Sequence, residues 1–171
     1  ISLEWPVRWA ENAPSPEDCR AQVWREFGLK PNALLGVGVD RLDYTKGIEE
    51  RLLAVERLLE QHPEFRGRFS FAQLAAPSRT KIERYHALNE MIEGLAARIN
   101  QRFGSAGYQP IILLRFHHEP PEVFRFYRAA DVCYVSSLHD GMNLVAKEFV
   151  AARTDLKGVL VLSEFTGAAR E

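Results

Sequence analysis

Leu34-Leu35-Gly36-Val37-Gly38-Val39 is a short, nearly unbroken apolar run, and Asp40-Arg41-Leu42-Asp43-Tyr44-Thr45-Lys46-Gly47 follows it at once. Runs of this length with no polar alternation belong to strands covered on both faces, as in parallel sheets. Beyond the polar loop, Ile48, Leu52, Val55, Leu58 and Leu59 fall on one stripe of a helix spanning about 48–61. The chain thus passes from a buried strand, through a loop rich in charge, into an amphipathic helix.

The same alternation extends in both directions. Upstream, Ser15-Pro16-Glu17-Asp18 reads as an N-cap, a proline at the first helical position and an acidic first turn. That helix runs to about Phe27 and stops at Gly28. Ile1–Val7 reads as a short extended lead-in. Downstream, Phe69–Leu74 is the second strand, closed by Pro77. A long helix follows over about 79–101, with Ile82, Tyr85, Leu88, Ile92, Leu95 and Ile99 on one face. Ile111–Phe116 is the third strand, and Pro121 opens a helix to Ala130. A strand from Val132, a helix over 144–152 and a strand over 159–162 complete the series. Repeated strand–helix alternation gives an α/β class with a parallel, Rossmann-like sheet and helices on both faces. Residues 1–33 are read as the lead-in strand, link and first helix, and 34–171 as the body of a single domain.

Composition narrows the partners. Of 171 residues 46% are hydrophobic, enough for one domain with a substantial core. Lys plus Arg number 22 against 23 Asp plus Glu, so no broad field selects nucleic acid or an anionic membrane. No apolar run approaches the ~20 residues of a membrane span. Cys19 and Cys133 are the only cysteines, read as free thiols, one in the early helix and one in a buried strand. A cytoplasmic setting fits, self-association is left open, and the Ile1-Ser2-Leu3-Glu4 start suggests the middle of a longer polypeptide.

In parallel sheets ligands bind beyond the carboxyl ends of the strands. The loops at 40–47, 75–80, 117–120, 138–143 and 163–167 should therefore converge. Asp140-Gly141-Met142-Asn143-Leu144-Val145-Ala146-Lys147-Glu148 carries two carboxylates eight positions apart, across a loop that turns into a helix. Asn143 suits the N-cap, and the N–H groups of Leu144 and Val145 would face the strand's carboxyl end, where a helix N-terminus attracts anions. Arg41 and Lys46 add a forked donor and a compact charge, the pair a diphosphate requires. The alternative is a solvated loop in which Arg41 pairs with Asp40 or Asp43. Gly36 and Gly38 lie inside the strand pattern and read as sites of close packing. The loop is neither a Walker A sequence nor a GxGxxG turn.

Other motifs carry less. Arg79, in Pro77-Ser78-Arg79, is a second candidate anion contact, or an exposed helix start. His117-His118 lacks a third ligand at metal spacing, so a structural or base-packing role is expected and no metal. His139 neighbours Asp140 with an open role. Ser163-Glu164-Phe165-Thr166-Gly167 is not framed as GxSxG, which argues against a hydrolase nucleophile.

Taken together, the stretches Val39–Gly47, Pro77–Arg79, Arg128–Val132, Asp140–Ala152 and Gly158–Ala169 resemble the retaining glycosyltransferases of the trehalose-6-phosphate synthase family. The resemblance covers nearly everything from residue 34 onward. It implies the donor-binding, C-terminal half of a two-domain GT-B enzyme. That enzyme would move glucose from UDP-glucose to glucose 6-phosphate with retention and without metal or cofactor. By the family pattern, Arg41 and Lys46 hold the donor diphosphate, Leu144 and Val145 offer backbone amides, and Glu148 bonds the ribose. Asp140, Gly141, Met142 and Asn143 line the sugar pocket, His118 lies beside the base, and Arg79 reaches the acceptor phosphate. Arg41, Lys46 and Asp140 are the residues expected to bear on catalysis. The N-terminal acceptor domain is the implied partner, and without it this piece is expected to bind nucleotide but not turn over. A related glucosylglycerol-phosphate synthase or a non-catalytic sugar-nucleotide-binding domain are the alternatives. A flavodoxin-like response domain would instead want an acidic cluster where Arg41 and Lys46 stand.

Overall fold

A computed structural model describes residues 13–77 and 83–170. The Ile1–Val7 lead-in and Arg79 lie outside those residues. The elements are α1 (Pro16–Phe27), β1 (Leu34–Arg41), α2 (Ile48–Gln61), β2 (Phe69–Ala76) and α3 (Glu83–Phe103). They continue with β3 (Ile111–Leu114), α4 (Pro120–Ala129), β4 (Val132–Val135), α5 (Leu144–Ala152) and β5 (Val159–Leu162). All strand pairs are parallel and the sheet order is β3-β2-β1-β4-β5. The chain winds outward from β1 through β2 to β3, then returns to the other side of β1 for β4 and β5. The direction of winding reverses between β1 and β4, which opens a crevice at their carboxyl ends.

Helix ends follow their chemistry. Ser15 accepts a hydrogen bond from the Asp18 N–H at 3.1 Å, Pro16 occupies N1, and Gly28 closes α1 in the left-handed region. On α4, Pro120 and Pro121 occupy the first two helical positions, so the helix begins one residue earlier than the sequence suggested. The third strand stops at Leu114, the last residue to pair with β2, opposite Leu74. Phe116, expected in the strand, leaves the sheet and stacks on His118 with ring centroids 4.1 Å apart.

Side chains alternate across the sheet and build one core on each face. Leu35, Val37, Ala72, Leu74, Cys133 and Val135 face α1, α4 and α5, meeting Val23, Phe126, Tyr127 and Phe149. Phe69, Phe71, Ala75 and Ile111 face α2 and α3, meeting Leu52, Leu59, Ile92 and Ile99. The two cysteines are free, as read, and both are buried; burial pushes the Cys133 thiol up to about 12. Both strand glycines make room for neighbours. A Cβ on Gly36 would drive into the Phe71 ring, and one on Gly38 would sit 2.7 Å from Gln73 Oε1 and closer still to the Arg51 guanidinium. Among the described residues no helix is long and apolar enough to cross a membrane.

Candidate functional site

The crevice beyond β1 and β4 is a cavity of about 540 Å³, within the range of small-ligand sites. Asp40 and Arg41 line it from the end of β1, Lys46 from the turn that follows, and Ala76 and Pro77 from the end of β2. His117 and His118 enter after β3, and Asp140, Met142 and Asn143 after β4. Leu144, Val145 and Glu148 come from α5. Four of the five loops expected to converge do so. The fifth, 163–167, backs the site, its Phe165 carbonyl accepting from the Asp140 N–H at 3.2 Å and its Gly167 N–H donating to the Asp140 carbonyl at 3.0 Å.

The loop after β1 is held in a tight turn. Asp43 accepts from the Thr45 N–H at 3.0 Å and the Thr45 hydroxyl at 2.9 Å. Gly47 then turns at φ 61, where a Cβ would strike the Ser136 carbonyl oxygen, so glycine is required on both counts. This turn delivers the Lys46 ammonium to the Asp140 carboxylate, 2.6 Å away. Asp140 also accepts from Asn143 Nδ2 at 3.2 Å and from the Met142 N–H at 3.4 Å. Burial pushes its carboxyl upward, but Lys46 and these donors outweigh that and hold it below the ordinary carboxylate range.

Asn143 is the N-cap of α5, accepting from the Ala146 N–H at 3.0 Å, and it adopts a positive φ of 74. Leu144 and Val145 line the cavity, and as first-turn residues their N–H groups have no acceptor within the helix. A turn later, Glu148 accepts from the Tyr127 hydroxyl at 3.1 Å. Burial raises the Glu148 carboxyl above its usual range, and the Tyr127 bond pulls it only partway back. The Tyr127 phenol is pushed well above 10 by burial and then by the neighbouring Glu148 charge.

Sequence-predicted residues are largely gathered. Arg41, Lys46, His118, Asp140, Met142, Asn143, Leu144, Val145 and Glu148 all line one hollow. Gly141 and His139 are exposed, and neither lines the cavity. In the alternative reading Arg41 pairs with Asp40 or Asp43; here Asp40 is bonded by Arg51 and Asp43 by Thr45, while Arg41 lies near enough to Asp43 to help lower its carboxyl. His118 is buried, packed on Phe116, with its Nε2 unpartnered among the described residues.

Three residues escaped the sequence reading. Arg51, fully buried, bonds Asp40 Oδ2 at 2.7 Å, Gln73 Oε1 at 2.9 Å and Ser136 Oγ at 3.0 Å. Ser136 in turn donates to the Gly47 carbonyl at 2.6 Å. Tyr127, on α4, reaches Glu148. The available signal was an arginine on the apolar stripe of α2, opposite a strand position with no side chain at Gly38.

The charges balance without a ligand. Arg51 neutralises Asp40, Lys46 faces Asp140, and Arg41 lies near enough to Asp43 to help lower its carboxyl. Helix N–H groups and cations gathered at one crevice are the chemistry that a polyanion carrying hydroxyls would require. Among the described residues no group of His, Cys, Asp and Glu is placed to hold a metal ion.

Known proteins agree with this architecture. The trehalose-6-phosphate synthase of Mycolicibacterium smegmatis is 50% identical over 153 residues, covering 88% of this chain and 29% of that protein. The UDP-forming alpha,alpha-trehalose-phosphate synthase of Pichia angusta is 48% identical over 149 residues, covering 87% and 31%. Among solved structures, the E. coli protein bound with UDP-2-fluoro glucose superposes with a TM-score of 0.85 at 41% identity, covering 96% of this chain and 36% of that one. The Burkholderia xenovorans UDP-forming synthase in complex with glucose-6-phosphate gives 0.83 at 37% identity, covering 93% and 37%. The chain thus spans about a third of the length of these relatives. The family model for glycosyltransferase family 20 matches residues 16–171, the whole series of elements that builds the crevice, and the chain belongs to that family.

Proposed function

We propose that this chain is the donor-binding part of a retaining glycosyltransferase that moves glucose from UDP-glucose to glucose 6-phosphate, giving trehalose 6-phosphate and UDP. The observation that carries the reading is the meeting of Arg41, Lys46 and the α5 N-terminus around one cavity whose rim also holds Asp140 and Glu148. The matched relatives are named as UDP-forming synthases, and two matched structures hold a UDP-glucose analogue and glucose-6-phosphate.

In this reading the donor diphosphate lies across the carboxyl ends of β1 and β4. Arg41 takes it with a forked guanidinium, Lys46 with a point charge, and the Leu144 and Val145 amides with helix-end dipoles. As the glycosidic bond to the diphosphate breaks, negative charge accumulates on the departing oxygen. Cations and amides fixed in advance stabilise that charge more than they stabilise the ground-state donor, which is what lowers a barrier. Asp140, held ionised by Lys46, bonds sugar hydroxyls. Glu148 keeps one oxygen for Tyr127 and presents the other to the ribose diol. Arg79 is assigned to the acceptor phosphate. The acceptor hydroxyl attacks on the face the diphosphate leaves, so no protein nucleophile is assigned, and the diphosphate oxygen takes up the acceptor proton.

A calorimetric titration with UDP, GDP, ADP and their glucose conjugates tests the donor assignment. Selective binding of UDP and UDP-glucose is expected. Equal response to all three nucleosides, or to none, overturns it. In the whole enzyme, Arg41→Ala should lose about 2–4 kcal/mol of transition-state stabilisation, a drop of roughly 30- to 1,000-fold in kcat/KM.

A further inference from the structure

We propose that Arg51 and Ser136 are positioning residues for Lys46, clamping the 44–47 turn onto the 136–140 loop so that the ammonium faces Asp140 and the α5 N-terminus. The functional meaning of this role rests on the donor-site reading above; the contacts that define it do not.

Neither residue lines the cavity. Arg51 lies in the first turn of α2 with no exposure, a costly place for a guanidinium unless every donor direction is used. Its contacts radiate to Asp40 at the end of β1, Gln73 on β2 and Ser136 after β4. A fourth, longer contact reaches the Lys46 carbonyl at 3.4 Å. A buried ion pair is seldom the most stable way to fill such a space, since apolar side chains of like volume often do as well. What an apolar side chain cannot do is tie three strands and a turn to one point.

Ser136 completes the clamp from the other side. Its hydroxyl accepts from Arg51 Nε and lies 2.6 Å from the Gly47 carbonyl and 3.2 Å from the Lys46 carbonyl. Two residues on, the Leu138 N–H donates to the Thr45 carbonyl at 2.8 Å. The turn bearing Lys46 and the loop bearing Asp140 are therefore zipped together by backbone as well as by side chain. A lysine side chain has about 2 kcal/mol of rotamer entropy to lose. Its ammonium is held at one point only when the backbone beneath it is fixed and a counter-charge meets it, and here both conditions hold. The gain is preorganisation: the cation is already where a diphosphate would arrive.

The test compares the unsubstituted protein with Ser136→Ala and Arg51→Gln, using two readouts. The first is the NMR titration of the Asp140 carboxyl, which reports how closely Lys46 approaches; Lys46, Asp40, Asn143 Nδ2 and the Met142 N–H are the groups that face it. In both variants the Asp140 midpoint is expected to rise. The second is the ratio of UDP to uridine affinity by calorimetry, expected to fall at least tenfold while uridine affinity holds. Loss of fold integrity alone would weaken both ligands together and leave that ratio unmoved. An unchanged Asp140 midpoint in Ser136→Ala, which leaves no buried charge unpaired, overturns the proposal even if Arg51→Gln fails to fold. Should the unsubstituted protein bind neither ligand, the donor reading fails, and the Asp140 titration still decides the positioning role.

Discussion

Lys46 Nζ lies 2.6 Å from Asp140 Oδ2, although the two residues are 94 positions apart and belong to different crossover turns. Their side chains are only 18% and 15% exposed, so solvent screens the pair far less than a surface ion pair. Lys46 is thereby stationed at the crevice, and Asp140 is kept ionised. A bound diphosphate would share the ammonium with Asp140 without having to recruit it from solution.

Lys46→Met removes that cation while keeping the aliphatic stem. UDP affinity is expected to fall by about 1.5–3 kcal/mol, the scale of one charge-assisted contact, or roughly 10- to 150-fold by calorimetry. Asp140, left with burial and two neutral donors, should titrate at higher pH in the variant than in the parent. Parent-like values for both quantities would remove Lys46 from the site.

Glu148 gives a signed pH dependence. Its carboxyl is raised by burial, with only partial relief from Tyr127, so the folded protein holds this proton more tightly than the unfolded chain. The contribution is favourable below the unfolded value of about 4.3 and is lost as pH rises through the higher folded value. Glu148→Gln should therefore flatten the decline in urea midpoint across that window and be no less stable than the parent at neutral pH, while UDP binding weakens. A variant that declines as steeply as the parent would show that Glu148 is not the group responsible.

The buried pair Arg51–Asp40 should behave as a unit. Burial pushes the Asp40 carboxyl up while the Arg51 guanidinium opposes the rise, so Asp40 depends on Arg51 to stay charged. Arg51→Met is expected to cost about 3–5 kcal/mol, because it strands a carboxylate in the core. Combining it with Asp40→Asn should cost much less than the two single changes added together. Urea unfolding of the double-mutant cycle measures this, and simple additivity would contradict the coupling.

Much of this architecture was legible because each strand carries its own punctuation. Leu34–Val39 is unbroken apolar sequence, Ser15 and Pro16 announce α1, and Asn143 caps α5 as its position suggested. Convergence of the loops followed from parallel topology alone. Periodicity misled where a side chain's partner lay far away in sequence. Arg51 falls on the same stripe as Ile48, Leu52 and Val55, and a single charge there looks like the stripe's edge. Its burial depends on the vacancy at Gly38 and on Asp40, Gln73 and Ser136, contributed by three other segments. Phe116 looked like a continuation of β3 because apolar content cannot distinguish a sheet residue from one stacked on a loop histidine. Arg20 is similar: it bonds Asp131 at 2.9 Å and the Ala33 carbonyl at 3.0 Å, fastening α1 to the sheet through pairings no local pattern announces.

Asn143 separates backbone strain from hydrogen bonding. It holds a positive φ, caps the Ala146 N–H with Oδ1 and donates to Asp140 with Nδ2. Alanine loses both bonds and dislikes the backbone conformation, so about 0.5–2 kcal/mol for the cap and about 1–2 kcal/mol for the left-handed region should be lost together. Glycine loses the same two bonds but accepts the conformation, and as an N-cap costs only a few tenths of a kcal/mol. Asn143→Ala is therefore expected to be clearly less stable than Asn143→Gly in urea unfolding, while both variants raise the Asp140 titration midpoint by the loss of one donor. Equal destabilisation would mean that the turn relaxes to negative φ once the asparagine is gone. In that case the first turn of α5 would no longer be aimed at the crevice, and UDP affinity would fall equally in the two variants.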